Sequence, residues 1–390
     1  MRSWQLLLML LFFSCSFEES IKPGDTDTFI KFFGVGEVNN AVYAEPTLDG
    51  GFICAGTTGS EGSENIYLFK TNSNGDLQWE RNIGGLADDT CVMIRQHQNG
   101  SYLFLRDSTT GPNRKNIFIG TISADGREIS YQTPVNNTDT IFNIQPIAFS
   151  ISSSNGNLNI LTGINNKSLL LNFDPLSEET RIITDTIPEN DLNASIVEAG
   201  QGKIVIGGSS LRTNRPDSDI LLMVVDENSQ TLVNYTNVRK EQTNETGKHV
   251  TRASFGIACI GTTFEESNSN IRVITTSLID DNFGAMQEIT IENPGDDIGE
   301  FIHSTSDGNL VILSTSNSYG INKGNEVVLH KINRSGARIW SSPFVFGGSE
   351  DDKARVVFET RDGSLMIFAT INTQVNTMMA LIKINANGKI

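Results

Sequence analysis

Paired acidic residues are the part of this chain whose type and spacing could do chemistry. Asp88-Asp89, Asp296-Asp297 and Asp351-Asp352 occupy matching places in a repeated pattern, each where a strand is predicted to start. Carboxylate oxygens are ligands that Ca²⁺ favours, so one interpretation is a set of cation or ligand contacts. The other is structural, because aspartate accepts hydrogen bonds from backbone N–H groups and so ties loops together. Related polar residues stand near the same place in other units: Asn39-Asn40, Asp139 and Asp191.

No other set of residues predicts catalysis. The four histidines fall in different units and lack the spacing of a zinc site: His97, His249, His303 and His330. No G-x-S-x-G nucleophile motif occurs. A carboxylate pair for cleaving glycosides stays open, because separation in space decides that role. We therefore predict no catalytic residue and no confident metal ligand.

Aromatic side chains could form a platform for carbohydrate. Tyr319 is the best candidate for an exposed contact, because it lies in a loop of serine, asparagine and glycine. Trp79 and Trp340 recur at one repeat position, which indicates packing between units rather than ligand contact. Tyr43 and Tyr102 are weaker candidates.

A repeat of roughly 50 residues must position all of these groups. Its clearest copy runs over residues 34–79 and predicts four short strands, with the turn Asp49-Gly50 before the second strand. Six turns carry this glycine: Gly50, Gly100, Gly156, Gly202, Gly308 and Gly363. Apolar second strands indicate burial on both faces. The pattern predicts an all-β, seven-bladed β-propeller of four-stranded antiparallel blades over residues 28–390. The alternatives are a β-sandwich, an open array of hairpins, or a propeller of six or eight blades.

The two ends of the repeat region predict how the ring closes. The last unit has three strands, and residues 28–34 resemble an isolated fourth strand. Pairing this N-terminal strand with the last blade would remove an exposed sheet edge. Units three to five diverge most from the pattern, so their boundaries are the least certain.

The first residues have the plan of an export signal. Met1-Arg2 is followed by an apolar stretch over residues 6–13 and by Ser14-Cys15. This resembles a bacterial lipoprotein signal over residues 1–15, which predicts a lipidated Cys15 and a flexible tether over residues 16–27. An ordinary cleaved signal is the alternative. We expect a bacterial outer-membrane lipoprotein, periplasmic or surface-exposed.

Charge and cysteine content narrow the classes of partner. The 390 residues carry a formal net charge of −17, which opposes binding to nucleic acid. The remaining cysteines are odd in number and lie in or beside predicted strands, so we expect Cys54, Cys91 and Cys259 to be buried thiols rather than disulfides. We expect a monomer.

The repeat phrase resembles one found in bacterial secreted propellers, which are grouped loosely with WD40-like and quinoprotein-like propellers. The match is carried by residues 47–58, residues 67–70 and Trp79 in the first unit, and by residues 346–352 and 360–363 in the last unit. The resemblance implies architecture and no particular activity. Together these features predict a membrane-anchored binding or scaffold module for an envelope protein or glycan. The alternatives are a propeller enzyme, a polysaccharide lyase or glycoside hydrolase with carboxylates at the channel mouth, and a purely structural envelope component.

Overall fold

The structure is a computed structural model that describes residues 28–60, 63–84, 89–111, 114–135, 144–164, 167–184, 191–211, 217–229, 231–279, 281–320 and 324–390. Among these residues all of the regular structure is β, and no helix qualifies as a membrane span. Seven four-stranded antiparallel sheets follow one another along the chain as blades one to seven. The predicted seven-bladed β-propeller is therefore confirmed.

The first four blades each take their strands in chain order, from the innermost strand outward. Blade one comprises Val38–Pro46, Phe52–Ser60, Ser63–Thr71 and Leu77–Ile83. Blade two comprises Asp89–Gln96, Tyr102–Gly111, Arg114–Ile122 and Ile129–Gln132. Blade three comprises Ile144–Ile151, Leu158–Ile164, Lys167–Asp174 and Glu179–Thr184. Blade four comprises Asp191–Gly200, Lys203–Leu211, Ser218–Asp226 and Thr231–Val238.

The last three blades depart slightly from this plan. Blade five comprises Asn244–Ala253, Gly256–Phe264, Ser269–Thr276 and Gln287–Ile291, with a small hairpin, Leu278–Ile279 and Asn282–Phe283, before its fourth strand. Blade six comprises Asp297–Ser304, Leu310–Ser316, Glu326–Ile332 and Phe344–Phe346. Blade seven comprises Lys353–Glu359, Leu365–Asn372, Thr377–Ile384 and, as its fourth strand, Phe29–Phe33.

The N-terminal strand closes the ring as the sequence predicts. Its residues pair antiparallel with the last strand of the chain, from Phe29 opposite Lys383 to Phe33 opposite Met379. The Phe33 ring also stacks on Phe69 of blade one, with ring centroids 4.3 Å apart. Closure thus joins strand pairing within blade seven to aromatic packing against its neighbour.

Turn chemistry and burial explain why the repeat forms blades. The six predicted turn glycines all have positive φ, between 70° and 87°. The second strands are buried along most of their length because neighbouring blades cover both of their faces. The antiparallel strands of each blade place the turns between first and second strands and between third and fourth strands on one face of the disc, here called the turn face. The innermost strands begin on the other face, here called the entry face.

A buried lysine recurs in the three blades that fit the repeat best. Its ammonium group bonds the aspartate of the turn between first and second strands, at 2.7–2.9 Å. The pairs are Lys70–Asp49, Lys331–Asp307 and Lys383–Asp362. Blade two has Asn99 and Thr121 at these places, which its turn and its strand register identify. Blade two therefore lacks this ion pair.

Candidate functional site

The acidic residues at the entry face tie loops and strands together. Buried Asp352 accepts hydrogen bonds from the backbone N–H groups of Gly348, at 2.6 Å, and Asn372, at 2.8 Å. Burial raises the pKa of Asp352. Asp89 is buried and pairs with the Arg106 guanidinium of the same blade. These carboxylates bond to groups within the blades.

The other predicted positions have the same kind of partners. Asp297 is fully buried, and its Oδ2 accepts bonds from Asn293 and Ser318, both at 3.0 Å. Asp296 and Asp351 each accept a backbone N–H bond at 2.9 Å, from Ser269 and Asn325 respectively.

Asn39 is the counterpart of these residues in blade one. Its amide donates to the carbonyl oxygens of Gly36, at 2.8 Å, and Thr377, at 2.7 Å. Thr377 belongs to the last strand of the chain, so this contact ties the first blade to the seventh.

Several predicted residues cannot be placed. Cys15, Asp88 and Asp139 lie outside the described residues, and Asp191 begins a strand whose first side chains are not described. Within the described ranges, no group of three or more His, Cys, Asp or Glu side chains could hold a metal ion. Calcium binding stays an untested prediction.

Tyr319 is less free than its loop suggests. Its hydroxyl donates to Asn293 Oδ1 at 2.7 Å, and its ring lies 5.9 Å from that of His330. Desolvation raises the pKa of this hydroxyl. Tyr319 is half-buried and braces the loop before blade six.

The histidines and cysteines of the core are poorly suited to chemistry at neutral pH. His249 stacks on Phe301 with centroids 3.6 Å apart, and desolvation lowers its pKa to about 3. Desolvation also lowers the pKa of His303 to about 4. Cys91 and Cys259 are buried free thiols whose pKa is raised by burial to about 12. Buried thiols of this kind are inert.

Aromatic side chains fill the packing surfaces between particular blades, here called seams. Trp79, on the fourth strand of blade one, lies over Gly126 in the turn of blade two, and its indole N–H donates to the Ala124 carbonyl at 2.9 Å. Trp340 repeats this arrangement from blade six, donating to Ala386 at 3.2 Å. The sequence prediction that these tryptophans pack between blades agrees with their positions.

Strand register identifies the same position in other blades. Trp79 lies opposite Lys70 in blade one, and Phe29 lies opposite Lys383 in blade seven, where it packs over Gly75 of blade one. In blade two the residue at this position is Ser130, opposite Thr121. Ser130 is exposed, whereas the aromatic residues are half-buried.

The seam between blades two and three contains a groove of about 710 Å³ on the turn face. Its walls are the turns of blades two and three together with the fourth strand of blade two. The lining residues used below are His97, Asn99, Ser130, Tyr131, Gln132 and Asp174. The volume falls within the usual range for small-molecule sites. In each of the two seams that flank blade one, a large aromatic residue fills the equivalent space.

The base of the groove is held open by polar contacts. The Gln132 amide donates to the Pro175 carbonyl at 2.8 Å and to Glu178 at 3.1 Å. Gln132 therefore bonds the turn of the next blade as Trp79 does, with much less volume. Like the seam between blades one and two, this seam has a hydrogen bond between its blades, but among the described residues no aromatic side chain fills it.

Carboxylates line this groove, whereas the Tyr131 ring lies on the other face of blade two, toward blade one. Tyr131 is 44% exposed and packs on Phe104, at 6.1 Å between centroids, and on the Arg106 guanidinium, 5.4 Å from its ring. The backbone N–H of Leu176 and the Ser177 hydroxyl lower the pKa of Asp174, so this carboxyl is ionised at neutral pH. Amide, hydroxyl and carboxylate groups of this kind can hydrogen-bond to a polar ligand.

The sequence analysis missed Ser130 and Gln132. The signal was present, because Trp79 and Trp340 each stand four residues after a turn glycine, Gly75 and Gly336, and Ser130 stands four residues after Gly126. The loss of the tryptophan in that unit marks the open seam.

Comparisons with known proteins show the fold and no more. No family model and no curated protein matches the chain. A crystal structure of a protein of unknown function from Dyadobacter fermentans is similar, with a TM-score of 0.52 and 8% identity, covering 91% of this chain and 99% of that one. The structure of Sqt1 from Chaetomium thermophilum is also similar, with a TM-score of 0.52 and 12% identity, covering 87% of this chain and 81% of that one. At such identities the likeness concerns architecture alone.

Proposed function

We propose that this protein is a membrane-anchored, extracytoplasmic binding module of the bacterial envelope that holds a glycan in the groove between blades two and three. The observation that carries the proposal is the open seam at Ser130, where equivalent seams are filled by Trp79 and Phe29. This seam leaves a groove open and keeps a hydrogen bond between the blades through Gln132, which are features of a built site.

The lining of the groove suits a polyhydroxylated ligand. A sugar ring offers hydroxyl groups around its edge, and the groove presents serine, asparagine, glutamine and acidic side chains that can hydrogen-bond to them. Two carboxylates, Asp174 and Glu178, disfavour polyanions in the groove. A neutral or basic glycan is the class that this chemistry fits best.

The anchoring part of the proposal rests on the sequence. Residues 1–15 resemble a lipoprotein signal ending at Cys15, and residues 16–27 would form the tether. The repeat phrase supports membership of the bacterial secreted propeller group. Metabolic labelling with palmitate tests the anchor: the parent chain should incorporate label and Cys15→Ala should not. Equal labelling of the two would refute lipidation.

A glycan array with the purified full chain tests the groove. We expect retention of a limited set of neutral or basic glycans, with binding weakened in Gln132→Ala. Gln287→Ala is a matched control, because Gln287 is exposed on the fourth strand of blade five, away from the groove. A reducing-sugar assay on retained glycans checks turnover, and turnover would favour the enzyme alternative. Equal binding by parent and Gln132→Ala would overturn the groove proposal.

A further inference from the structure

Each innermost strand carries a β-bulge at one repeat position. The pairing register of every first strand with its second strand skips one residue there. The skipped residues, from blade one to blade seven, are Val42, Val92, Ile147, Ala194, Lys248, Glu300 and Arg355. Bulges redirect side chains and are common next to functional sites. Here the bulged residues are apolar in blades one to four and charged in blades five to seven.

The three charged bulges form one cluster with Lys353. Lys248 Nζ lies 3.4 Å from Glu300 Oε2, across the seam between blades five and six. Arg355 and Lys353 lie on the innermost strand of blade seven, and both interact electrostatically with Glu300. Lys248 and Lys353 are exposed to solvent, while Arg355 is partly buried. The cluster lies toward the entry face of the channel.

Positive charge in this cluster is not balanced. Three cationic groups surround one carboxylate on a protein whose formal net charge is −17. The Arg355 guanidinium lowers the pKa of Lys353, so the two cations repel each other. Arg355 Nε is buried and has no hydrogen-bond partner among the residues that the structure describes. A buried guanidinium N–H without an acceptor is costly.

Neighbouring carboxylates are committed elsewhere. Asp352 precedes Lys353 in the chain, but its two oxygens accept bonds from the backbone N–H groups of Asn372 and Gly348. Asp297 Oδ2 accepts bonds from Asn293 and Ser318, and its Oδ1 has no hydrogen-bond partner within the described ranges. Among the described residues, neither carboxylate forms an ion pair with Arg355.

Aromatic residues lie next to the cluster along the channel. His249 and Phe301 directly follow Lys248 and Glu300, and Phe358 lies 5.2 Å from Phe301 between ring centroids. Tyr43 reaches the same rings from blade one, 5.9 Å from Phe358. This aromatic layer separates the cluster from Glu45 and Arg95, whose ion pair lies toward the turn face. A ligand of the cluster is therefore expected to approach from the entry face.

We propose that Lys248, Lys353 and Arg355 form an oxyanion-binding site at the entry face of the channel, suited to a phosphate or sulfate group. A guanidinium fork together with two ammonium groups matches an anion that offers several oxygen acceptors. The site is distinct from the glycan groove, which opens on the turn face and rests on other blades. It stands or falls independently of the proposed function.

Isothermal titration of the full chain with sodium phosphate or sodium sulfate, at constant ionic strength set with sodium chloride, tests the site. We expect saturable binding to the parent and about tenfold weaker binding, or more, to Arg355→Gln and Lys353→Gln. Lys353 is exposed, so its variant serves even where loss of Arg355 impairs folding. Glu300→Gln should bind the anion more tightly, because it removes the one carboxylate. Lys389→Gln, an exposed change in the last turn, is the matched control and should bind as the parent does.

Two probes separate the sources of the anion. A sugar phosphate or sugar sulfate that binds more tightly than the inorganic ion indicates a pendant group on a larger ligand, and equal affinities indicate a free ion. No saturable binding of either probe above the chloride background would overturn the proposal. Unchanged affinity in both Arg355→Gln and Lys353→Gln would overturn it as well.

Discussion

The seam between blades one and two and the seam between blades two and three have the same backbone plan and opposite contents. In the first, Trp79 covers Gly126 and donates to the Ala124 carbonyl. In the second, Ser130 stands at the tryptophan position, Gln132 makes the equivalent bond to Pro175, and a groove of about 710 Å³ remains. The sealed and open interfaces therefore differ at the tryptophan position and at the places of Asp49 and Lys70, where blade two has Asn99 and Thr121.

This difference shows that a ring of repeats can form a binding site where one unit lacks a side chain that fills the interface elsewhere. Each blade is stabilised by its own strand pairing and by its neighbours, so one seam can lose an aromatic filler without opening the ring. The hydrogen bond that Gln132 keeps prevents an unsatisfied carbonyl in the next turn. Function in such a fold is to be sought where one unit departs from the others.

Removing the filler of the sealed seam should have the largest effect. Trp79→Ala should lower the free energy of unfolding by about 3 kcal/mol, the low end for tryptophan truncation, because the ring is only half-buried. Chemical denaturation measures this. Ser130→Ala in the open seam is the control and should change it by about 0.5 kcal/mol or less. Equal losses in the two variants would remove the distinction between the seams.

Adding a methyl group under the tryptophan should have the next largest effect. A Cβ on Gly126 would lie 2.5 Å from the Trp79 ring, whereas a Cβ on Gly156, beside the groove, would meet nothing within 4 Å. The two glycines have similar φ, 72° and 78°. Gly156→Ala should cost about 1 kcal/mol from backbone strain, and Gly126→Ala about 2 kcal/mol or more because overlap is added.

Denaturation curves of these two glycine variants can be compared directly, because each variant serves as the control for the other. Their backbone strain is matched, so the difference between them reports contact with Trp79. A double variant with Trp79→Ala should remove that difference. If the difference persists without the tryptophan, ring contact is not its cause.

The Lys70–Asp49 ion pair of blade one makes the free energy of unfolding depend on pH, and blade two has no equivalent pair. Burial alone would raise the pKa of Asp49, but hydrogen bonds from Thr47 and Lys70 lower it to about 2. Asp49→Asn should cost about 1 kcal/mol at pH 7, a modest value because the aspartate is half exposed. A folded-state pKa below the unfolded value of about 3.9 stabilises the protein above that pH. The difference between parent and variant should therefore shrink as the pH falls from about 4 to about 2.

Thermal unfolding at several pH values between 2 and 7 measures this loss. A gap between parent and Asp49→Asn that stays constant down to pH 2 would contradict the role given to the ion pair. Asn99→Ala in blade two, where no such pair exists, should show no comparable change with pH.

The architecture could be predicted from the sequence because the same local signals recur in most of the repeated units. Turn glycines such as Gly50 and Gly363, apolar second strands, and the isolated strand at Phe29–Phe33 each depend on local chemistry that recurs in most units. The ring closure followed from counting strands. These features are readable because each is dictated by neighbours in the chain.

The candidate site could not be predicted from the sequence because it is formed by residues of different blades that are far apart in the chain. The paired aspartates were a candidate site because they recur in several units. Residues such as Asp352 recur because they accept hydrogen bonds from backbone N–H groups of the loops between blades. Ser130 drew none, since a missing tryptophan has meaning only once Trp79 is known to fill a seam. The bulge that aligns Lys248, Glu300 and Arg355 is likewise visible only in the strand register.

The most direct test of the account is ligand binding by Ser130→Trp, which places the filler of the sealed seam into the open one. The account predicts that this variant folds with a stability equal to the parent or up to about 1 kcal/mol higher, and that it loses the glycans which the parent retains on the array. Ser130→Ala, which leaves the groove open, should keep them. A folded Ser130→Trp protein that binds the same glycans with the affinity of the parent would contradict the claim that the open seam is the binding site.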